Sequence, residues 1–361
     1  MAPRKKIAPT EVELNPASPL MKAHAEAMKV IEEDPIVQID ASSLRETLPH
    51  ISTGSLVLNY LIGGRVNAYG IPPCPGFPRG RISNLYGNAG AGKTTTALQA
   101  AAEVCKAGGT CLYLDWEHEV VPSYARALGV PIERKDKFML AQPDTLEDGL
   151  IMLVTYASAG VDLIIIDSVG AAKPKAIENR DLKEMGENIR MGLVASKWSD
   201  FLPTLKKVIA KTNTCIVAIS QLRATMNAKG SDSDAQGGNA WKFYSSVRLK
   251  LAMIKKETTK VYNPITGGKD DQVTGTIVKA RLDKCKVSDA AYHEQILYLT
   301  QGKGFDNTRT VIEIAIAHKI IKKAGAWVKW VMPSGEELAG QGMDKFQKML
   351  HAKEGRSEEH T

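Results

Sequence analysis

The segment Gly87–Thr94 reads GNAGAGKT and fits the pattern GxxxxGK[ST]. An apolar run, ISNLY, precedes it, and TTTALQAAAEVCKAG, rich in helix formers, follows it. A glycine-rich turn between a strand and a helix points backbone N–H groups at one spot, where the helix N-terminus also favours negative charge. That is chemistry for the phosphates of a nucleoside triphosphate. Gly87, Asn88, Ala89, Gly90, Ala91 and Gly92 would supply the backbone cradle, and Thr95 continues the first helical turn. Lys93 would reach the β and γ phosphates, and the Thr94 hydroxyl would ligate Mg²⁺. The competing reading is a glycine-rich turn with a chance lysine; the flanking strand and helix argue against it.

Two further sets of oxygens suit the same chemistry. Asp167 closes the apolar run LIIID. A carboxylate at the C-terminal edge of a parallel strand beside the phosphate loop can hold Mg²⁺, whereas alone it could equally cap a helix. Asp115, Glu117 and Glu119 follow the run CLYLD. Hydrolysis needs a group that orients or deprotonates water, and one of these three acids is the candidate.

The elements that must position these residues are legible as alternation. Apolar strands at ISNLY, CLYLD, FMLAQ, LIIID and CIVAIS alternate with helical stretches. Near-continuous apolar strands separated by helices predict an α/β fold with a mostly parallel sheet covered on both faces. After Ser246 the alternating segments SVRLKLAMI and TGTIVKARL predict antiparallel strands at one edge. Val66–Arg81, with four prolines and three glycines, predicts a loop. Residues 1–20 are expected to be disordered, Met21–Asp34 to form a helix ended by Pro35, a small helical module to start near Arg309, and the last ten residues to fray.

Composition narrows the class. The formal net charge of +7 permits a polyanionic partner without requiring one. Five scattered cysteines without a CxxC pair argue against zinc and suit a reducing, cytosolic setting. No apolar run is long enough to span a membrane, and no apolar stretch follows the basic start MAPRKK as a secretory signal would need.

Several strings then occur in a telling order: ISTGSL at Ile51–Leu56, GFPRGRISNLYGNAGAGKTT, LDWEHEVVPSYARALGV, the run Ile164–Glu178, MGLVA at Met191–Ala195, SQLR, and GGNAWKFYSSVRL. Together they resemble the successive signatures of the bacterial RecA recombinases, with the UvsX-type phage recombinases as relatives, over about residues 45–345. The last string is not a generic ATPase motif. The resemblance implies a P-loop RecA-like core at 49–300, an N-terminal helical arm with an oligomerisation helix at 1–48, and a small C-terminal α+β module at 301–361. It implies ATP and Mg²⁺ as cofactors, single-stranded and duplex DNA as partners, self-association into a helical filament, single-strand-binding and loader proteins as further partners, and a cytoplasmic location without membrane contact.

Residue by residue, the resemblance makes Glu117 the carboxylate that polarises the attacking water. Tyr124 would stack on adenine, and Gln221 would sense the γ-phosphate. Lys284 and Lys286 would reach the ATP of the neighbouring subunit, although Lys279 and Arg281 share their spacing. Two DNA-binding loops would run over about Glu178–Arg190 and Leu222–Gln236. Arg190, Met191, Gly192, Lys197 and Arg223, with Gly237, Gly238 and Asn239, would contact the strand. Lys242 and Phe243 suit a subunit interface, or in the case of Phe243 plain core. The Val66–Pro78 stretch has no counterpart in the pattern. Val121 stands where the family has an aspartate near adenine, Ser196 where it has a basic residue, and its acidic tail is missing. A ring helicase, a non-catalytic assembly paralogue and a small-molecule kinase are the rivals. GGNAWKFYSSVRL argues against the first and the intact catalytic set against the second. The absence of an acceptor motif argues against the third.

Overall fold

The computed structural model describes residues 46–178, 187–222, 239–262 and 267–358, together with Pro19, Ala23, Glu26 and Lys29. By internal contacts the chain divides into Met1–Glu46 and Thr47–Thr361. In the first unit Ala23 and Glu26 are helical, and Lys29 pairs with Glu26 at 2.6 Å; the rest of the expected arm helix lies outside the described residues.

The second unit is built on a nine-stranded sheet. The strands β3 (Ile82–Gly87), β4 (Cys111–Asp115), β5 (Phe138–Ala141), β6 (Leu163–Asp167), β7 (Cys215–Gln221) and β8 (Val247–Tyr262) continue into β9 (Lys269–Cys285), β10 (Glu294–Thr300) and β11 (Gly304–Phe305). Their spatial order is β11-β10-β9-β8-β3-β7-β6-β4-β5. From β8 to β5 every neighbouring pair is parallel, and β8 to β11 pair antiparallel. β8 is therefore the seam, parallel to β3 on one side and antiparallel to β9 on the other. The predicted parallel sheet with an antiparallel edge is borne out.

Side chains alternate across the sheet, so both faces carry cores. Leu85, Tyr113, Ile165 and Val217 enter one cluster with α1 (Leu56–Gly63), α2 (Lys93–Lys106) and α3 (Pro122–Ala127). Leu112, Ile164, Ile166 and Ile216 enter the other with α4 (Leu146–Ser158) and α6 (Glu187–Thr212). The short α5 (Lys175–Glu178) precedes α6, and α7 (Asn239–Tyr244) leads into β8. Each fully buried aliphatic side chain contributes about 1.5–3 kcal/mol, which is why unbroken apolar strands such as LIIID are stable only in this double-covered setting.

Four expectations need correction. Val66–Arg81 is not wholly loop: Phe77–Pro78 form β2, antiparallel to β1 (His50–Ile51), because Phe77 is fully buried and anchors the chain there. The stretch Glu178–Arg190, expected as a loop, is not wholly loop, since α6 already begins at Glu187 and carries Met191, Gly192 and Lys197. The C-terminal stretch is not the helical module read from the residues but the α+β module that the resemblance implies. Between α8 (Asn307–Ala317) and α9 (Met343–Glu358), β12 (Lys322–Ala324), β13 (Trp327–Val331) and β14 (Glu337–Gln341) form an antiparallel sheet around Ile312, Ile321, Val328, Leu338 and Phe346. The charged end stays helical to Glu358 instead of fraying at once.

Candidate active site

The phosphate loop lies where β3 meets α2. Gly87 is required by close approach: a Cβ there would stand 1.9 Å from the Leu251 carbonyl oxygen on β8. Gly92 takes a left-handed conformation, φ 81°, as it starts α2, which an L side chain resists. Lys93 is folded over the loop, and its Nζ donates to the Gly87 oxygen at 3.0 Å and the Asn88 oxygen at 2.8 Å. Burial pushes its pKa down, against the pull of Asp167 and Glu117. A desolvated ammonium held by loop carbonyls is ready to exchange them for phosphate oxygens.

The C-terminal ends of β4, β6 and β7 bring the remaining groups to the same rim. Asp167 Oδ2 accepts from Thr94 Oγ1 at 3.0 Å and from the Tyr113 hydroxyl at 2.6 Å. Burial nonetheless raises the Asp167 pKa to about 6, with the charge of Glu117 adding to it. Glu117 accepts from Gln221 Nε2 at 2.7 and 3.0 Å, and from the Ser168 hydroxyl. The three acids after β4 are thus separated by role. Asp115 is fully buried and structural, accepting the Glu117 and Val120 amides and the Gln142 side chain. Glu119 is exposed on the loop. Glu117 alone of the three faces the rim with Gln221.

Opposite the loop, Gly90, Gly92, Lys93, Thr94, Thr95 and Tyr124 share a cleft of about 210 Å³ with residues of β9 and β10. The Tyr124 hydroxyl is held by Thr95 Oγ1 at 2.7 Å, which fixes the ring beside the loop. Hard oxygen donors, one of them a buried carboxylate of raised pKa, suit Mg²⁺ at Thr94 and Asp167. The arrangement can bind a nucleoside triphosphate and orient water toward its outer phosphate.

A family model, the RecA N-terminal domain, matches residues 20–306. The chain belongs to the RecA family. It is similar to Protein RecA of Borrelia hermsii, 34% identical over 333 residues, 92% of this chain and 85% of that one. Protein RecA of Deinococcus radiodurans is 39% identical over 297 residues, 82% of this chain and 73% of that one. RecA proteins are DNA recombinases, and the α/β core with its mostly parallel sheet is that of the family.

In this RecA-family chain the basic residues divide. Lys284 Nζ donates to the Lys242 and Phe243 carbonyl oxygens at 2.6 and 3.0 Å, at the end of α7. Its pKa falls to about 8 through burial, then through the charges of Lys286, Arg248 and Lys206. Lys279 pairs with Glu294 at 3.1 Å and Arg281 with Asp283 at 2.6 Å. Lys284 stands opposite Arg248, four residues along β9 from Ala280, the neighbour of Leu251 beside the loop. At about 3.3 Å per residue, Lys284 lies away from this chain's own phosphate loop. Phe243 is 74% exposed, so it is not core.

The DNA-contact candidates are brought together only in part. Gly192 and Asn239 are exposed, and Lys197 pairs with Glu147 at 3.4 Å. Arg190 and Met191 lie on α6, with side chains outside the described residues, as are Arg223, Gly237 and Gly238. Sequence reasoning missed Tyr113 and Ser168. Tyr113 sits inside CLYLD, facing β6 in register with Ile165, and nothing in its spacing announces the hydroxyl's contact. It also missed the β10 wall of the cleft, Leu299, Thr300 and Gln301, which comes from a distant stretch of chain.

Proposed function

We propose that this chain is an ATP-dependent DNA recombinase that polymerises on single-stranded DNA, pairs it with homologous duplex and exchanges strands while hydrolysing ATP. One observation carries the reading: Glu117 is held by Gln221 at the rim beside the Thr94–Asp167 pair and the phosphate loop. Gln221 is the last residue of β7 and directly precedes the segment assigned to the second DNA loop. When its amide turns to the γ-phosphate, Glu117 regains an oxygen with which to orient water. The nucleotide state and the DNA segment are then read by the same side chain.

Thr94 and Asp167 would hold Mg²⁺, which when bound neutralises charge on the phosphates. Lys93 would bind the outer phosphates, and Tyr124 would stack on the base beside the loop. Lys284 and Lys286 serve as cations for the ATP of the adjoining copy. Their support is that Lys279 and Arg281 have intrachain acid partners, whereas Lys284 donates to the Lys242 and Phe243 carbonyl oxygens, with the exposed Phe243 alongside. A head-to-tail contact of this kind does not close and builds a filament. Arg190, Met191, Gly192, Lys197, Arg223, Gly237, Gly238 and Asn239 are proposed as DNA contacts, Lys197 after leaving Glu147. We also propose the division into an arm at 1–48, an ATPase core at 49–300 and a C-terminal module at 301–361. A cytoplasmic site of action follows from the substrate; among the described residues no helix is long and apolar enough to cross a membrane.

The test is ATP turnover with and without single-stranded DNA. Wild-type turnover rises on DNA. Glu117→Gln keeps ATP binding and lowers turnover by about 10²–10⁴-fold, whereas Lys93→Ala loses both. DNA-independent turnover would overturn the recombinase reading in favour of another P-loop ATPase.

A further inference from the structure

Three indoles form a buried column between the hydrolysis rim and the helices that follow the two proposed DNA segments. Trp116 stands between Asp115 and Glu117, Trp198 lies on α6, and Trp241 on α7. The Trp116 and Trp198 ring centroids are 6.3 Å apart at 90°, and those of Trp198 and Trp241 are 4.9 Å apart at 67°. Edge-to-face contacts at these separations are favourable beyond simple burial. The three are 7%, 0% and 2% exposed. Gly149 on α4 makes room for the first: a Cβ there would meet Trp116 Cζ2 at 2.0 Å.

The column touches the rim at two places. The Trp116 amide donates to the Asp167 oxygen at 2.7 Å, and Trp198 Nε1 donates to the Val169 oxygen at 3.0 Å. Between those acceptors sits Ser168, whose hydroxyl donates to Glu117. The segment 223–238 is therefore flanked by two attachments to one carboxylate. Gln221, close before it, bonds Glu117 directly. Trp241, close after it, reaches Glu117 through Trp198, Val169 and Ser168. Trp116 and Trp198 each donate their indole N–H to a backbone oxygen, Thr145 and Val169 respectively. Among the described residues the buried Trp241 Nε1 has no acceptor. The Trp241 indole is held on the column by apolar packing, so among the described residues it can shift without breaking an indole hydrogen bond, and a buried donor without an acceptor calls for a reason.

We propose that Trp198 and Trp241 are positioning residues: the indole column is a second tether by which the segment 223–238, on binding DNA, sets the place of Ser168 and Glu117. This rests on the recombinase reading, which supplies the DNA. DNA engagement that moves the start of α7 moves Trp241, then Trp198, then the Val169–Ser168 backbone. A packed contact able to take two arrangements is the physical element a coupling between sites requires.

The experiment uses the full chain and oligo(dT) as probe. It measures ATP turnover with and without the oligonucleotide, KM for ATP, oligonucleotide affinity by anisotropy, and the thermal midpoint. Trp241→Leu is expected to leave DNA-free turnover, KM and affinity within about two-fold while the DNA stimulation of kcat falls about ten-fold, an ordinary size for coupling. Trp241→Phe, which keeps an aromatic face, restores most of the stimulation. Where Trp241→Leu lowers the thermal midpoint sharply, Trp198→Phe, Trp241→Phe and the double variant decide the matter: non-additive effects on stimulation support the column, additive ones overturn it. Stimulation unchanged in Trp241→Leu, or lost only in step with oligonucleotide affinity, overturns the inference while the recombinase reading stands. A wild-type chain that oligo(dT) does not stimulate overturns that reading, and the tether with it.

Discussion

Lys284 carries a depressed pKa, about 8, on a strand edge where its partners are carbonyl oxygens and its near charges are positive. A lysine whose folded pKa is lowered sheds its proton as pH rises through that value, so its charge is present below pH 8 and is lost above it. If this charge serves the neighbouring ATP, DNA-stimulated turnover falls as pH rises past about 8. Lys284→Arg, whose guanidinium stays protonated, flattens that limb; a pH–rate profile of the two proteins is the check. The phosphate loop and Asp167 were legible in local strings, whereas Glu117 was one of three acids until the resemblance singled it out, and Gln221 came from the resemblance alone. Tyr113 and Ser168 were not, since their roles come from Asp167 and Glu117, 54 and 51 positions away. The sequence leaves Lys284 and Lys286 or Lys279 and Arg281 open, and the acid partners Glu294 and Asp283, which favour the first pair, do not show in the spacing.

At the scale of elements, two contacts invert what propensity alone would predict. Gly149 lies inside α4, where alanine ordinarily stabilises a helix by 0.5–1 kcal/mol, roughly speaking. Here the added methyl meets the Trp116 ring at 2.0 Å. Gly149→Ala should instead destabilise by about 1–3 kcal/mol, read from denaturant unfolding. Arg309 opens the C-terminal module at α8 and forks onto Glu257 of β8 at 2.6 and 2.8 Å, with its guanidinium 4.2 Å from the Tyr298 ring centroid. Arg309→Ala leaves Glu257 partly buried without its partner and should cost about 1–3 kcal/mol. Faster proteolysis of 307–358 than of the sheet is the expected signature. The strands were legible as apolar runs, and their parallel pairing followed from the intervening helices. The β12–β14 strands were not legible from the residues, only as the α+β module the resemblance implies, because KKA, WVKWV and ELAGQ are short and mostly exposed, with Val328 and Leu338 as their buried apolar side chains.

For the whole molecule, the proposed sharing of an active site between copies has a consequence that mixing can reveal. Glu117→Gln copies keep their lysines, and copies with both Lys284→Ala and Lys286→Ala keep Glu117. Neither preparation alone should turn over ATP well. Mixed in equal amounts, about a quarter of the head-to-tail contacts pair an intact Glu117 with intact lysines, so turnover returns toward a quarter of wild type. No recovery would place the lysines in the same copy's site. The seam at β8 bears on how such a molecule comes into being. β3, which carries the phosphate loop, is bordered by β7 and β8 alone, and its pairing ends at Leu251. During synthesis the strand Ile82–Gly87 leaves the ribosome about 170 residues ahead of its last neighbour, an interval of about 10–30 s at ordinary elongation rates. Until β7 and β8 follow, the strand at the centre of the finished sheet has open edges, the kind of surface on which a nascent chain can pair with other chains.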